Sequence, residues 1–533
     1  MIYRSPEQQR YAKLIEGALR PGPPLLAGAS AGLGKTHGYS IPLVRSGKRI
    51  AIAMSTRQLM QQYLDSHALA TALQGHTCTV GELQSRQHFE TDKAYQAHRS
   101  EALQAQVLLV THAAALIDSL QPGYAQLRER DVVLFDEADL LADAADLRST
   151  FAISAETLKA CQAQHLTPEQ AAHKVRQLTT STEDRCAASA ILYALANPAP
   201  YKMVGHNDAG DLVLRHRMPG RMLKPLVKEA PRCIFTSGTL QVHGSFDHFV
   251  RAMGLTVMAP ESCHIEPPQH GHLRVQATAD ALSLEQIALR IAAAQNPTLV
   301  LTSSHRSSQE LGALLPHAVV READEPLADA VQRCPTDGVL IAAGAWSGLD
   351  EPRLRWRTVV IPQTPYGQPV QVNGISVNYF IDSQVVALRR TNQGLHRGLR
   401  TPDAQCTLLL LDPRSSRLTL RSAIPARFSV DWDGFEEGSL VLQTHFKRER
   451  NQQLKNAALK HYGNQCMFEG CEVTKAHWLE VHHTLPISEG ERRTTLEDVQ
   501  VLCSNHHKEA HHLLRMAAFS DEKSTEISTE STT

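Results

Sequence analysis

The run Ala29-Ser30-Ala31-Gly32-Leu33-Gly34-Lys35-Thr36 has the make-up of a phosphate cradle. Small residues let backbone N–H groups wrap phosphate oxygens, a lysine reaches the β and γ oxygens, and a hydroxyl joins a Mg²⁺ shell. Gly32, Gly34, Lys35 and Thr36 are therefore the candidate nucleotide ligands, although Ala29 stands at a first position usually held by glycine. Farther along, the apolar run Val132-Val133-Leu134-Phe135 delivers Asp136-Glu137-Ala138-Asp139. A carboxylate at the end of a strand suits the Mg²⁺ water shell, and its neighbour suits polarising an attacking water, so Asp136 and Glu137 take those roles. Cradle and acidic pair together specify hydrolysis of a nucleoside triphosphate.

A second chemistry sits near the C-terminus. Four residues separate Cys466 from Cys471 and two separate Cys503 from His506, spacing that suits a closed tetrahedral Zn²⁺ site. Such a site would stabilise a module too small to hold together by burial alone. Once those four are used, His482, His483, His507 and His511 remain, with Asp498 between them. His507 and His511 lie four apart and share a face if helical.

The elements that must position these groups are legible as alternating patterns. Apolar runs at Pro24–Ala27, Arg49–Met54, Gln106–Val110 and Val132–Phe135 alternate with helical periodicity, which predicts a parallel sheet covered on both faces. Residues 151–199 are rich in Ala, Gln and Thr and read as a helical insertion, with Thr167-Pro168-Glu169-Gln170 as a capped helix start. Tyr201–Met218 reads as a hairpin turning at Asn207-Asp208-Ala209-Gly210. A strand follows at Cys233–Thr236, then a linker at Pro260–Pro268. A second α/β stretch carries runs at Thr298–Thr302, Gly338–Ala342, Thr358–Ile361 and Thr407–Leu411. The expected division is a domain over 1–262 with its insertion at about 145–230, a second over 263–428, a linker at 429–460, and a metal module at 461–515. The last 18 residues, full of Ser, Thr and Glu, are expected to be disordered.

Composition sets the outer bounds. A chain of 533 residues is too long for one core and implies about three or four folding units. A formal net charge of −1 gives no global basic field, so any nucleic-acid track must be a local one. The N-terminus lacks an apolar signal region and no stretch nears membrane length, which predicts a cytoplasmic protein without a membrane span. Ten mostly isolated cysteines do not form a disulfide framework.

Across about residues 1–428 the motifs resemble the DinG/XPD group of DNA helicases. Pro6-Glu7-Gln8 stands where that family reads adenine, which makes Gln8 a nucleotide contact. Ser55-Thr56-Arg57, with Gln61 and Gln62, resembles its strand-touching motif Ia, and Val110-Thr111-His112-Ala113-Ala114-Ala115-Leu116 its NHALL segment. Thr236-Ser237-Gly238-Thr239-Leu240 stands for SATL, Ala345-Trp346-Ser347-Gly348-Leu349-Asp350 for FWEGVD, and Pro365-Tyr366 for PF. Gln393-Gly394-Leu395-His396-Arg397-Gly398-Leu399-Arg400 is close to QxxGRxxR, with His396 in place of a family glycine.

The resemblance implies two RecA-like parallel-sheet domains, ATP and Mg²⁺ as ligands, and 5′-to-3′ movement along DNA. Gln393, Arg397 and Arg400 become catalytic candidates that neutralise charge on the γ-phosphate. Thr56, Arg57, Thr111, His112 and Trp346 become strand contacts, with core packing the other reading of Trp346. Many relatives hold an iron–sulfur cluster between motifs Ia and II, but here that interval offers only Cys78, so no cluster is expected. The DinG-like helicases of type IV CRISPR systems also lack it, which suggests an RNA-guided effector complex as a partner.

The C-terminal stretch resembles HNH endonucleases, whose fold is a ββα-metal module. That likeness implies a divalent ion held by His482, His507 and His511 and a general base at His483, with Asp498 where the family has Asn. A motor whose zinc module grips DNA without cutting, and a repair or restriction nuclease with a translocating motor, are the alternatives.

Overall fold

The computed structural model describes the chain apart from residues 1, 31, 122, 200, 243, 267–270, 279, 347–353, 368–370, 377–379, 400–402, 418–428, 433–451, 469, 476, 477, 484–494, 508 and 511–533. The chain divides into two units, Met1–Gly438 and Ser439–Thr533. The first unit opens with β1 (Leu25–Ala29), β2 (Ile50–Met54), β3 (Val80–Glu82), β4 (Val107–Thr111) and β5 (Val132–Asp136). An excursion follows through β6 (Phe151–Ile153), β7 (Lys202–His206) and β8 (Leu212–His216), after which β9 (Cys233–Ser237) and β10 (Glu261–Ile265) return. Seven of these strands form one parallel sheet in the order β10-β1-β9-β5-β2-β4-β3. β1, β2 and β9 are buried at every position. A parallel sheet is covered on both faces, so its inner strands are continuous apolar runs.

The stretch Pro260–Pro268, expected as a linker, instead contributes β10, paired in parallel with β1 along the sheet edge. Edge strands tolerate polar, exposed residues, and Glu261 and Ser262 are both exposed, so no apolar run marks it. In the insertion the Tyr201–Met218 hairpin is present as β7 and β8, and β6 adds a strand that the helical reading of residues 151–199 lacked. Three helices, Ala155–Ala160, Pro168–Leu178 and Thr182–Ala196, pack on a three-stranded antiparallel sheet in the order β6-β8-β7. Its own core includes Ile153, Leu158, Val175, Ile191 and Leu212. The β7–β8 turn is held by Asn207, whose Oδ1 accepts from the Ala209 and Asp211 amides at 3.0 and 2.9 Å.

A second parallel sheet is built from β11 (His272–Ala277), β12 (Thr298–Thr302), β13 (Val319–Val320), β14 (Val339–Ala343) and β15 (Thr358–Ile361). A small hairpin, β16 (Gln371–Val372) and β17 (Ile375–Ser376), precedes the helix Phe380–Gly398, and β18 (Gln405–Leu410) and β19 (Ser429–Trp432) complete the sheet. The order is β13-β14-β12-β15-β18-β11-β19, parallel throughout.

The β16–β17 hairpin reaches across to the insertion. The Asn373 amide donates to His206 O at 2.8 Å, and the His206 amide donates to Asn373 Oδ1 at 2.9 Å. Gly205 makes room for this: a Cβ there would stand 2.1 Å from Asn373 Oδ1. Val372 and Val213 bury an apolar contact beside it.

The second unit is small. The helix Gln452–Tyr462 packs on an antiparallel pair, β20 (Leu479–His483) and β21 (Val499–Cys503). Among the described residues its buried core is Ala458, Leu479, Val499, Val501, Leu502 and the thiols of Cys466 and Cys503, with Leu459, Tyr462 and Val481 packed against it. The expected linker at 429–460 lies partly, and the expected tail at 516–533 wholly, outside the described residues. No helix among the described residues is long and apolar enough to cross a membrane.

Candidate functional site

β1 ends at Ala29, and the cradle closes at Gly34, whose φ of +81° caps the helix Lys35–Arg45. An L side chain is strained at that angle, and a Cβ would also meet Gln8 Nε2 at 2.4 Å. Gln8 is buried against the loop. Its Nε2 donates to Gly34 O at 3.0 Å and its Oε1 accepts from the Arg4 amide at 2.8 Å. The amide expected at adenine from the motif resemblance is here a strut for the phosphate loop.

The acidic pair faces the cradle from the end of β5. Lys35 Nζ lies 3.6 Å from Glu137 Oε1, and the Tyr39 hydroxyl donates to Asp136 Oδ2 at 2.9 Å. Burial, with the Glu137 charge beside it, pushes Asp136 up to about 6. Burial works the same way on Glu137, but Lys35, Ser237 and Arg397 outweigh it and hold that carboxyl below its ordinary value. Burial disfavours the Lys35 ammonium, yet Glu137, Asp136 and Asp139 keep it above its usual pKa. One firm carboxylate and one firm ammonium therefore stand ready for a metal-bound triphosphate.

Asp139, the last acid of the same motif, is the hub that sequence reasoning missed. The Ser237 hydroxyl donates to its Oδ1 at 2.6 Å, with Glu137 Oε2 3.1 Å away, and Thr239 Oγ1 donates to its Oδ2 at 2.7 Å. From the second sheet's domain, Gln393 Nε2 donates to the same Oδ2 at 2.8 Å. Arg389, also missed, donates to Asp139 O at 2.6 Å and to Asp143 Oδ2 at 2.7 Å. Arg389, Gln393 and Arg397 are spaced by four along the helix Phe380–Gly398, one stripe turned toward the first domain. That spacing was the available signal. Arg397 donates to Trp346 O at 2.5 Å and acts on Glu137 through its charge. Burial lowers its pKa to about 10, which leaves it a cation at neutral pH. Lys35, Thr36, Asp136, Glu137, Gln393 and Arg397 all line one cleft of about 1400 Å³ between the two sheets' domains. Arg400 lies outside the described residues.

The expected strand contacts divide. Thr56 and Arg57 are exposed at the start of the helix Arg57–Leu64, where Thr56 Oγ1 accepts from the Leu59 amide and Arg57 stands 3.4 Å from Glu82. Thr111 is half-buried and caps the next helix through the Ala114 amide. His112 and Trp346 do not reach a surface strand path. His112 is wholly buried and its Nε2 bonds Asp136 O at 2.9 Å, so it fixes the acidic strand end. Desolvation lowers its pKa to about 4. Trp346 is buried in the second domain's core with Leu301, Ile361 and Leu395. In both cases a side chain beside a surface motif points inward.

In the second unit the ligand atoms of Cys466, Cys471, Cys503 and His506 all lie within 4.8 Å of one another. Cys471 and Cys503 sulfurs are 4.0 Å apart, and His506 Nδ1 is 3.5 and 3.3 Å from Cys466 and Cys503 sulfurs. Tetrahedral Zn²⁺ with Zn–S of about 2.3 Å needs ligand edges of roughly 3.5–3.8 Å, so the quartet fits it. On the other side of the hairpin, the His482 and His507 rings stand 5.4 Å apart at 79°. His507 Nδ1 is 2.9 Å from Glu480 Oε2, and Ser504 Oγ donates to Glu480 Oε1 at 2.7 Å. A carboxylate on one ring nitrogen orients the other, and sequence reasoning gave Glu480 no role. Asp498 Oδ2 accepts from the Thr495 amide and hydroxyl at 2.7 and 2.9 Å. His483 is placed on β20 opposite Val499, and His511 lies outside the described residues.

The DEAD/DEAH box helicase family matches residues 5–182. No curated protein matches the chain. Among solved structures, an XPD helicase aligns with a TM-score of 0.57 at 14% identity, covering 81% of this chain and 100% of its own. Xpd4 of S. tokodaii aligns at 0.53 and 14% identity, covering 80% and 99%. At that identity the likeness establishes the fold, two RecA-like parallel sheets. Residues 5–182 thus match the DEAD/DEAH box helicase family, within a two-sheet fold similar to that of the XPD helicases.

Proposed function

We propose that this chain hydrolyses ATP to move 5′ to 3′ along single-stranded DNA and separate its strands, and that its C-terminal module cuts the DNA so exposed. The observation that carries the motor reading is the shared cleft. Lys35, Asp136 and Glu137 face it from the first sheet, and Arg397 faces it from the second sheet's domain. When a triphosphate enters, the Lys35 ammonium moves from Glu137 to the β and γ oxygens, and Asp136 would hold Mg²⁺ through its water shell. Glu137, released, accepts a proton from the attacking water, and Arg397 neutralises charge developing on the γ-phosphate. Asp139 ties this chemistry to domain closure, because Ser237, Thr239, Gln393 and Arg389 all meet on it. DNA as the strand and the polarity of movement follow the motif resemblance, with Thr56, Arg57 and Thr111 as contacts.

The cutting reading rests on the paired His482 and His507 rings, a set separate from the zinc quartet. Zinc at the quartet would hold the module folded. A divalent ion at His482 and His507, joined by His511, would supply a Lewis acid at the scissile phosphate. His483 would take the proton of the attacking water.

The test is a 5′-tailed, end-labelled duplex incubated with Mg²⁺, with and without ATP, and read on native and denaturing gels. Unwinding is expected to vanish in Lys35→Ala and cleavage in His483→Ala. Unwinding with no cutting under any divalent ion would reduce the module to a grip. Cutting without unwinding would overturn the motor.

A further inference from the structure

One end of the insertion carries rings and cations that neither the cleft nor the metal sites use. Tyr193, near the end of the helix Thr182–Ala196, is 67% exposed, and Tyr201, just before β7, is 41% exposed. Lys202 Nζ stands 5.2 Å from the Tyr193 ring, and the Tyr201 and His216 rings are 5.7 Å apart. Lys202 and His216 are direct partners in the β7–β8 pair, so their side chains share a face. Arg217 follows His216, exposed, with its amide on Tyr201 O.

The cations of this surface are Lys202 and Arg217; residues 193–207 hold no Asp or Glu, and Asp208 and Asp211 lie in the turn at the opposite end of the β7–β8 pair. Neither Lys202 nor Arg217 pairs with a carboxylate among the described residues: Lys202 Nζ donates to Asn197 O at 3.1 Å, and Arg217 Nε lies 3.2 Å from Met203 Sδ. An ammonium keeps two more donors and a guanidinium four more after one such contact. Burial and the nearby Lys202 lower the His216 pKa, so that ring is neutral and flat at ordinary pH.

We propose that this end of the insertion is a stacking platform for single-stranded nucleic acid. The exposed rings take unstacked bases, while Lys202 and Arg217 take the phosphates between them. A duplex hides its base faces and gains only the charge contacts, so the single strand is the favoured ligand. The platform lies apart from the nucleotide cleft, since none of its residues lines it. It therefore adds a second grip to the motor proposed above.

The experiment is fluorescence anisotropy of a labelled oligothymidylate with the full chain, without nucleotide, over a series of salt concentrations. Tyr193→Ala and Tyr201→Ala are each expected to weaken binding by about fivefold or more, whereas Tyr193→Phe, which keeps the π face, is expected to match the parent. Arg217→Gln is expected to lower the slope of log affinity against log salt by about 0.7. The three side chains changed, Tyr193, Tyr201 and Arg217, are on the surface, so thermal unfolding midpoints stay level, and affinity for a fluorescent ATP analogue is unchanged. Equal affinities for the parent and both alanine variants, with an unaltered slope for Arg217→Gln, would overturn the platform and leave this face to a protein partner. A parent chain that binds no single strand would overturn the motor reading as well.

Discussion

Arg389→Leu probes how the cleft at Lys35 and Glu137 senses the second domain. The guanidinium makes three contacts: Asp139 O at 2.6 Å, Asp143 Oδ2 at 2.7 Å, and an ionic approach to Asp139 Oδ2 at 3.8 Å. Asp143 is half exposed, so that pair contributes less than about 1 kcal/mol. Asp139 is buried, and removing one partner of a buried pair costs about 3–5 kcal/mol. Ser237, Thr239 and Gln393 still donate to Asp139, which places the loss near about 3 kcal/mol. These bonds exist only when the domains are together, so the loss falls on closure and converts to roughly a hundredfold in strand-stimulated ATPase rate. Nucleotide affinity should hold within about twofold, because Arg389 does not line the cleft. Adding Asp139→Asn removes the stranded charge, and the double variant should recover at least about tenfold over Arg389→Leu. The assay is steady-state ATPase with and without single-stranded DNA, beside titration of a fluorescent ATP analogue. A stimulated rate within about threefold of the parent, or strict additivity in the cycle, would refute the argument.

Three further expectations follow from other parts of the molecule. His112 binds its proton at about 4 when folded and at the ordinary 6.5 when unfolded, so the stability it contributes is complete above 6.5 and lost as pH falls from 6.5 to about 4. Urea midpoints across that window should show a shallower fall for His112→Gln, and an unchanged pH dependence would refute the assignment. Cys466→Ser should lose the stoichiometric zinc of the second unit and open residues 452–510 to protease while ATPase persists, whereas full zinc content in that variant would dismiss the quartet. Gly205→Ala drives a methyl into Asn373 and should raise amide exchange at His206 and Asn373 at least about tenfold, and retained protection would show that the hairpin yields without unseating.

The sequence was most legible where function and backbone run together. The cradle at 29–36 and the acids at 136–139 are contiguous motifs, each between a buried apolar strand and a helix, so type and spacing were enough to place them. β10 and β3 were hidden for a physical reason: they are the two edges of the first sheet, short or polar, without the apolar run of an inner strand. The closure contacts were hidden for another. Arg389 and Asp139 are 250 residues apart, and only the pairing of two sheets brings them within hydrogen-bond reach. His112 and Trp346 show the converse limit, since a motif places a residue in sequence but not the direction of its side chain.

The hairpin that grips β7 changes what kind of machine the first unit is. Two lobes meeting at one cleft would have a single hinge. Here the second lobe is fastened twice, once at the cleft through Asp139 and once at the insertion through Asn373, while the chain itself joins the insertion back to the first lobe. Mechanically that is a closed linkage of three bodies rather than a pair of jaws. In a closed linkage no joint turns alone: opening the cleft must rotate the insertion, or break the two hydrogen bonds between Asn373 and His206, one at the Asn373 backbone amide and one at its side-chain oxygen. Under the proposed motor, each ATP cycle would have a built-in output at the insertion, delivered without any further chemistry.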